Sequence, residues 1–347
     1  MASKKVLIVG PSWVGDMVMA QTLFKLLKQK KNTRMLHVLA IPWTLSLVER
    51  MPEVDQVIPL PIGHGEIKLA KRYEIAKTLR SFHYDQAIVL PNSFKSALIP
   101  WLARIKKRTG WLGESRFFLL NDIRRLDTSR HPLMIDQFMA LGLDKSEILP
   151  DPTSFYPSFP LSEKTRKTTI EKHKAHIRNR PILAICPGAA YGPAKQWRAS
   201  YFAEVANHQI NAGWDVWLFG STQDKEIASE IMIQTKHQCE NFVGRLALAE
   251  TIDLLALVDG VISNDSGLLH IASALKKPIV AIYGATDPSF TPPLSNKATI
   301  LKLELPCQPC FKRTCPLKHY RCLYDLKPEQ VITSISAWKI EYARFIN

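Results

Sequence analysis

Short apolar runs alternate with amphipathic helical patterns along the chain, and this alternation restricts the possible folds more than any other feature. The first run, KVLIVG at residues 5–10, leads through the loop PSWVGD into a helical pattern from about Met17 to Lys30. Further runs lie at 36–41, 56–60 and 86–90, separated by helical patterns at 44–51, 66–81 and 94–103. Strands that alternate with helices pair in parallel and are covered on both faces. The pattern therefore predicts an α/β, doubly wound, Rossmann-like domain.

The alternation stops at about residue 149 and begins again at Pro181. The stretch between contains the proline-rich segment PDPTSFYPSFPL and a polar helix-like segment, which is typical of a domain boundary. With 347 residues, the chain is long enough for two ordinary cores. We therefore expect a first Rossmann-like domain at 1–160, a linker at 161–180, a second Rossmann-like domain at 181–327 and a terminal amphipathic helix at 328–347.

The loop after the first strand is a predicted ligand site, because open α/β sheets bind ligands at the carboxyl ends of their strands. Gly10 and Gly15 bracket this loop, and Asp16 stands where the helix begins. Asp16 is either a helix N-cap or a general base whose ionised form the helix N-terminus favours. The glycine spacing matches neither GxGxxG nor a Walker A loop, which disfavours NAD binding and P-loop hydrolysis.

The loop PGAAYGPAKQW follows the first strand of the second half. Its small residues leave room for a ligand, and they are Gly188, Ala189 and Ala190. Lys195 in the same loop either supplies a compact positive charge to that ligand or is a solvated surface group. After the next strand, the loop with Gly220 leads to Asp224, which either accepts hydrogen bonds from ribose hydroxyls or caps its helix.

The run SNDSGLLHIASAL at 263–275 marks the end of another strand and the start of another helix. The backbone N–H groups near Ser266, Gly267 and Leu268 should point outward as an anion site that suits a diphosphate. Asp265 is either a ligand contact or a helix cap. His270 is either part of the site or a buried helix residue.

Charge is concentrated in the first half. The formal net charge is +15, and the first 150 residues hold 23 Lys/Arg against 13 Asp/Glu. Such a surface attracts nucleic acid, anionic lipid headgroups or a phosphorylated substrate, or it is simply a solvated basic surface. An RNA-binding protein is disfavoured because no RRM, KH or helix-turn-helix signature is apparent. Because no run approaches 18 apolar residues and no signal-peptide core is visible, we expect neither a membrane span nor export.

Four of the six cysteines crowd one short segment with the spacing Cys-x2-Cys-x4-Cys-x6-Cys. They are Cys307, Cys310, Cys315 and Cys322. Four thiols in sixteen residues suit a structural zinc or an iron–sulfur cluster, although the spacing matches neither common template well. A plain loop of reduced cysteines is the alternative, and neither interpretation gives the cysteines a catalytic role.

Six motifs in the same order resemble the lipopolysaccharide heptosyltransferases over nearly the whole chain. They are PSWVGDM at 11–17, LPNSFKSAL at 90–98, RTGW at 108–111, PGAAYGPAKQW at 187–197, FGSTQD at 219–224 and SNDSGLLHIASAL at 263–275. The resemblance implies a GT-B architecture with a central cleft, in which the first domain receives the acceptor and the second binds ADP-L-glycero-D-manno-heptose. It also implies inverting transfer of a second heptose to the heptosyl-Kdo-lipid A inner core, with transfer to a different acceptor as the alternative.

The resemblance further implies a setting and a set of partners. No cofactor or divalent metal is required, and the terminal helix packs back toward the first domain. The partners are the nucleotide-sugar donor and the phosphorylated lipopolysaccharide core, without nucleic acid. The protein is expected in the cytoplasm, with peripheral contact at the cytosolic face of the inner membrane.

Residue roles follow from the same resemblance. Asp16 becomes the catalytic base and Lys195 the contact to the donor phosphate, assisting catalysis. The heptose and diphosphate are held by Asp265, Ser266, Gly267 and His270, with Gly188, Gly220, Asp224 and Leu268 as further donor contacts. Ala189 and Ala190 stand where related sequences carry threonines, so no hydroxyl from them reaches the phosphate. The expected acceptor contacts are Gly15, Asn92, Ser93, Lys95, Arg108 and Arg116.

Overall fold

The computed structural model describes residues 4–30, 33–63 and 66–338. The chain divides into two compact units, residues 1–160 and 161–347, and each is described here by itself. Among the described residues, no helix has both the length and the apolar character needed to cross a bilayer.

The first unit is built on one six-stranded parallel sheet. Its strands are β1 (Lys4–Val9), β2 (Thr33–Ala40), β3 (Gln56–Pro59), β4 (Gln86–Val89), β5 (Lys107–Trp111) and β6 (Asp122–Arg124). They lie in the order β3-β2-β1-β4-β5-β6, and every pair is parallel. This is the strand order of the dinucleotide-binding Rossmann fold.

The helices of the first unit cover both faces of its sheet. They are α1 (Val14–Gln29), α2 (Leu45–Val48), α3 (Leu69–Leu79), α4 (Leu98–Leu102) and α5 (Met134–Leu141), with 3-10 turns at Pro42–Thr44, Arg80–Phe82, Phe94–Ala97 and Pro152–Phe155. Eleven of the sixteen residues of α1 are buried, because the sheet covers one side of this helix and α5 packs on another. A side chain at Gly142, just after α5, would come within 2.5 Å of Leu23, so glycine permits this approach.

The second unit repeats the same topology. Its strands are β7 (Ile182–Cys186), β8 (Asp215–Leu218), β9 (Glu240–Asn241), β10 (Gly260–Asn264), β11 (Ile279–Tyr283) and β12 (Ala298–Lys302), in the order β12-β11-β10-β7-β8-β9. Its helices are α6 (Glu163–His173), α7 (Ala199–Asn211), α8 (Lys225–Gln234), α9 (Leu248–Leu255), α10 (Gly267–Ala274), α11 (Arg321–Tyr324) and α12 (Pro328–Ser336). The predicted α/β class with two Rossmann-like parallel sheets is confirmed.

The segment 161–180, predicted as a linker with a polar helix-like stretch, is grouped with the second unit and contains α6. Ser162 caps α6 by accepting a hydrogen bond from the Thr165 N–H. The hydroxyls of Thr165 and Thr169 each donate to the carboxylate of Asp253 in α9, at 3.3 Å. Paired threonines one helical turn apart therefore fix this polar helix to the second core, which its composition alone does not reveal.

The described part of the terminal helix packs within the second unit, and its expected packing toward the first domain stays a prediction. Val331 and Ile335 of α12 are fully buried in the core formed with α7 and the sheet. These residues lie one helical turn apart and present one apolar face. The rest of the predicted helix, residues 339–347, lies outside the described residues.

Candidate active site

The centre of the first sheet is the place where its topology opens a crevice. β1 pairs with β4, with Val9 opposite Val89 at their carboxyl ends, and the chain order reverses between these two strands. The connections after β1 and β4 therefore leave in opposite directions, which is where α/β sheets bind ligands. Gly15 and Asp16 follow β1, and the loop 90–97 follows β4.

Asp16 is the third residue of α1, so the interpretation of this residue as an N-cap is wrong. Trp13 occupies the cap position and makes no side-chain hydrogen bond to the helix, and the Met17 N–H donates to the Trp13 carbonyl at 2.9 Å. Asp16 is half-buried, and Gly15 before it is buried. A carboxylate in the first helical turn interacts favourably with the positive end of the helix dipole, and a carboxylate in this position can act as a general base.

Arg116 does not contact an acceptor, because it is completely buried. Its guanidinium donates to the carbonyls of Pro91 and Trp111 at 2.6 Å each and of Ser93 at 3.4 Å, and to side-chain oxygens of Asn92 at 3.1 Å and Ser96 at 3.2 Å. Burial lowers the pKa of Arg116 to about 10. The predicted contact is therefore wrong, and this arginine instead fixes the loop after β4 to the end of β5.

Arg108 lies away from the carboxyl edge of the sheet, where the acceptor contacts are expected. It pairs with Ala87 toward the amino ends of β4 and β5, and its guanidinium donates to the carbonyls of Ile105 and Leu119, both at 2.6 Å. Burial lowers its pKa. Asn92, Ser93 and Lys95 do lie in the loop after β4, with Asn92 exposed and the other two half-buried, so their acceptor role stays a prediction.

The second sheet has an equivalent crevice between β7 and β10, where Cys186 lies opposite Ser263. Asn264, the last residue of β10, joins the two loops that border it. Its amide Nδ2 donates to the Pro187 carbonyl at 2.7 Å, and its Oδ1 accepts from the Trp197 N–H at 3.1 Å. Both ends of the loop 187–197 are thereby fixed to the neighbouring strand.

Lys195 and Asp265 meet in this crevice, although 70 positions separate them. Lys195 Nζ donates to Asp265 Oδ2 at 2.6 Å, and the Thr286 hydroxyl donates to the same oxygen at 2.6 Å. The side chain of Asp265 is 4% exposed and that of Lys195 is 15% exposed. A lysine ammonium has three N–H groups, and one of them donates to Asp265.

The helix α10 begins at the same crevice. Ser266 is its N-cap with an extended backbone, and its side chain makes no capping hydrogen bond to the helix. The Ser266 hydroxyl lies 3.2 Å from that of Ser263, while Gly267 and Leu268 are half-buried. The first N–H groups of α10 lack partners within the helix, and their role as an anion site stays a prediction.

His270 lies one turn into α10, is 4% exposed, and has Nε2 at 3.9 Å from Asp265 Oδ1. Burial lowers the pKa of His270 to about 4, against a smaller opposite effect from Asp265, and Lys195 lowers it further. The ring is therefore neutral near pH 7, and its Nδ1 has no hydrogen-bond partner among the residues that the structure describes.

Acidification should destabilise the protein through His270. In the unfolded chain this ring gains a proton below about pH 6.5, whereas in the folded chain it stays neutral down to about pH 4. Proton binding thus favours unfolding, and the free energy of unfolding should fall by up to about 3 kcal/mol over this window. Urea denaturation at several pH values should show a shallower fall for His270→Gln. Equal slopes for the two proteins would contradict a buried neutral ring.

Asp224 acts locally as a cap, and its contact to a ribose stays a prediction. Its Oδ2 accepts from the Ser221 N–H at 2.7 Å and from the Ser221 hydroxyl at 2.8 Å. A side chain at Gly188 would come within 2.4 Å of the Asp224 carboxyl, and one at Gly220 within 3.0 Å of its Cβ. Both glycines therefore allow the loops after β7 and β8 to approach this carboxylate. In the loop after β7, Ala189 is half-buried and Ala190 is exposed.

Sequence reasoning overlooked two residues of this site. Asn264 joins the loops, and Thr286 after β11 completes the hydrogen bonding of Asp265. Asn264 is the last residue of β10 and Thr286 is the third residue after β11, and this position near the carboxyl end of a strand would have identified them.

Comparisons with known proteins agree with this architecture. The model of glycosyltransferase family 9 (heptosyltransferase) matches residues 72–321. The chain is 41% identical over 342 residues to lipopolysaccharide heptosyltransferase 2 of Escherichia coli K12, covering 96% of this chain and 98% of that protein. It is 42% identical over 346 residues to lipooligosaccharide heptosyltransferase 2 of Haemophilus ducreyi, covering 96% and 98%.

A solved structure extends the similarity to three dimensions. The structure of E. coli ADP-heptose LPS heptosyltransferase II superimposes with a TM-score of 0.84 at 38% identity, covering 96% of this chain and 98% of that one. This match confirms the predicted GT-B class. With a family model over most of the chain and full-length relatives above 40% identity, the chain belongs to glycosyltransferase family 9, the heptosyltransferases, and is a glycosyltransferase.

Proposed function

We propose that the protein transfers L-glycero-D-manno-heptose from ADP-heptose to the heptosyl-Kdo-lipid A inner core of lipopolysaccharide, as the second heptose. The observation that carries the proposal is identity above 40% along the whole chain to relatives named heptosyltransferase 2 in two genera. The two strand-end sites supply the groups that this reaction needs.

The second unit holds the donor. The diphosphate of ADP-heptose lies at the start of α10, where the N–H groups at Ser266, Gly267 and Leu268 meet it. Lys195 adds a positive charge from the facing loop, and Asp265 keeps that ammonium in place at 2.6 Å. Positive potential at the departing diphosphate stabilises the charge that develops in the transition state, and it takes the place of a divalent cation.

The first unit holds the acceptor and the base. Asp16 removes the proton from the acceptor hydroxyl as its oxygen attacks the anomeric carbon of the heptose. The bond from that carbon to the diphosphate breaks on the opposite face, so the configuration inverts and ADP leaves with both electrons. The proton remains on Asp16 until solvent accepts it.

The net charge of +15 suits an acceptor that bears phosphates and carboxylates. We place the enzyme in the cytoplasm, in peripheral contact with the cytosolic face of the inner membrane, where a lipid-linked acceptor is presented. Nucleic acid is not a partner in this proposal. The remaining acceptor contacts come from Gly15 and from Asn92, Ser93 and Lys95 in the loop after β4.

The test is to incubate the protein with ADP-heptose and defined lipopolysaccharide cores that carry no, one or two heptoses, and to read the products by mass spectrometry. We expect a gain of one heptose on the one-heptose core only. Transfer to the core without heptose, or to the core with two, would assign another acceptor within the family. No transfer to any core would refute the proposal.

A second set of reactions tests the absence of a catalytic metal. Initial rates are measured after brief incubation with EDTA and then with added Mg²⁺ or Mn²⁺. Because a helix N-terminus and a lysine already neutralise the leaving group, we expect equal rates. Loss of activity that Mg²⁺ restores would contradict this scheme.

A further inference from the structure

The segment 307–322 of the second unit surrounds a small cavity of about 20 Å³ with thiols. All four of its cysteines line this cavity, and they are Cys307, Cys310, Cys315 and Cys322. All four are free thiols. A cavity of this size has room for about one water molecule, which suits a single metal ion.

The four cysteines are brought together by this shared cavity, because each of them forms part of its wall. Thiolates in such proximity are unfavourable unless a cation lies between them. The arrangement therefore suits a positively charged occupant.

Other atoms around the cavity favour the same occupant. Gln308 also lines the cavity and donates from Nε2 to the Gly284 carbonyl at 2.6 Å, but its buried Oε1 has no partner within the described part of the chain. A cation in the cavity would compensate this oxygen.

The charge of the segment is also complementary. Residues 307–322 contain four basic side chains, Lys312, Arg313, Lys318 and Arg321, and no Asp or Glu. Four thiolates around a divalent cation carry a net charge of −2, which surrounding basic side chains balance.

We propose that Cys307, Cys310, Cys315 and Cys322 bind one thiophilic divalent cation, with zinc as the probe, as a structural site of this enzyme. Each protonated thiol releases its proton to solvent on binding, and no electron is transferred. Across the described residues, no three candidate ligands already surround one point. Binding therefore involves rotation of the thiols into the cavity until the sulfurs lie about 2.3 Å from the ion.

A metal ion in this site would stabilise the loop 187–197, which carries Lys195. The Ala194 N–H donates to the Arg313 carbonyl at 3.0 Å, and the Phe311 N–H donates to the Ala285 carbonyl at 2.8 Å. Ala194 and Ala285 directly precede Lys195 and Thr286, the two residues that hold Asp265. A cation that fixes the cysteine segment thus fixes the backbone on which the Lys195–Asp265 pair stands.

The test begins with metal content, which does not depend on the proposed reaction. Full-length protein is reconstituted with zinc, passed over a chelating resin and measured by mass spectrometry of the metal. We expect about one zinc per chain and protection of four thiols from a thiol reagent. Cys310→Ser and Cys315→Ser should lose the metal, whereas Cys239→Ala, which removes a thiol elsewhere in the second unit, should keep it.

Cobalt substitution identifies the ligands even if one variant folds poorly. A thiolate-to-cobalt charge-transfer band in the unmodified protein, weaker in Cys307→Ser, supports the proposal. Protein that retains no zinc after reconstitution overturns it, as does zinc content that Cys315→Ser leaves unchanged or iron accompanied by acid-labile sulfide.

Discussion

Asp16→Asn should reduce the transfer rate by about 10²- to 10⁴-fold, the range expected when a general base is lost, while the affinity for ADP changes little. The substitution keeps the size of the side chain and removes only its ability to accept a proton. ADP binds in the second unit under the proposed scheme, so its dissociation constant, measured by calorimetry, reports on the donor site alone.

The same residue also contributes to helix stability, and the two effects have different sizes. Asp16 lies in the first turn of α1, where a carboxylate stabilises the helix by about 0.3–1 kcal/mol. A loss of that size lowers the free energy of unfolding slightly and cannot account for a large loss of rate. Glu49→Gln is a matched control, because it removes an exposed carboxylate just after α2 in the same unit. Normal turnover in Asp16→Asn would remove the assignment of this residue as the base.

The sheets and their ligand-binding edges are predictable from sequence because buried parallel strands are continuous apolar runs. Three of these runs coincide with observed strands, and their ends agree to within two residues. They are KVLIVG with β1, PILAIC with β7 and PIVAIYG with β11. In contrast, β5 begins with two basic residues and contains Gly110, so it has no such pattern. Its place is set by pairing with β4. β9 has only two residues and is likewise set by its neighbour.

Which candidate residues face a ligand is less predictable, because the answer depends on partners that are distant in the chain. Arg116 resembles a surface arginine in its own sequence neighbourhood, yet carbonyls of the loop after β4, more than twenty positions away, enclose it. Lys195 and Asp265 come together only because β7 and β10 are neighbours. Once the strand order is known, it predicts the contact between Lys195 and Asp265. It does not predict that Arg116 is enclosed.

Lys195→Met should be the most destabilising substitution in the donor site. Among the described residues, the substitution leaves Asp265 Oδ2 with the Thr286 hydroxyl, at 2.6 Å, as its hydrogen-bond partner, and the Asp265 side chain is 4% exposed. Removing one partner of a buried ion pair lowers the free energy of unfolding by about 3–5 kcal/mol. Lys172→Met is the matched control, since Lys172 and Glu250 are also 2.6 Å apart but Lys172 is 63% exposed. The Lys172–Glu250 pair should contribute about 0.2–1 kcal/mol to the free energy of unfolding, as measured by urea denaturation.

The double variant Lys195→Met/Asp265→Asn separates stability from catalysis. The uncharged amide can still accept from Thr286, so we expect the double variant to regain much of the stability lost in Lys195→Met, with a coupling of about 1–3 kcal/mol. Its transfer rate should nevertheless stay about 10- to 10³-fold below normal, because the charge at the leaving diphosphate is gone. If turnover returned together with stability, Lys195 would be only the counterion of Asp265, and the positive potential at the leaving group would have to come from the start of α10 alone.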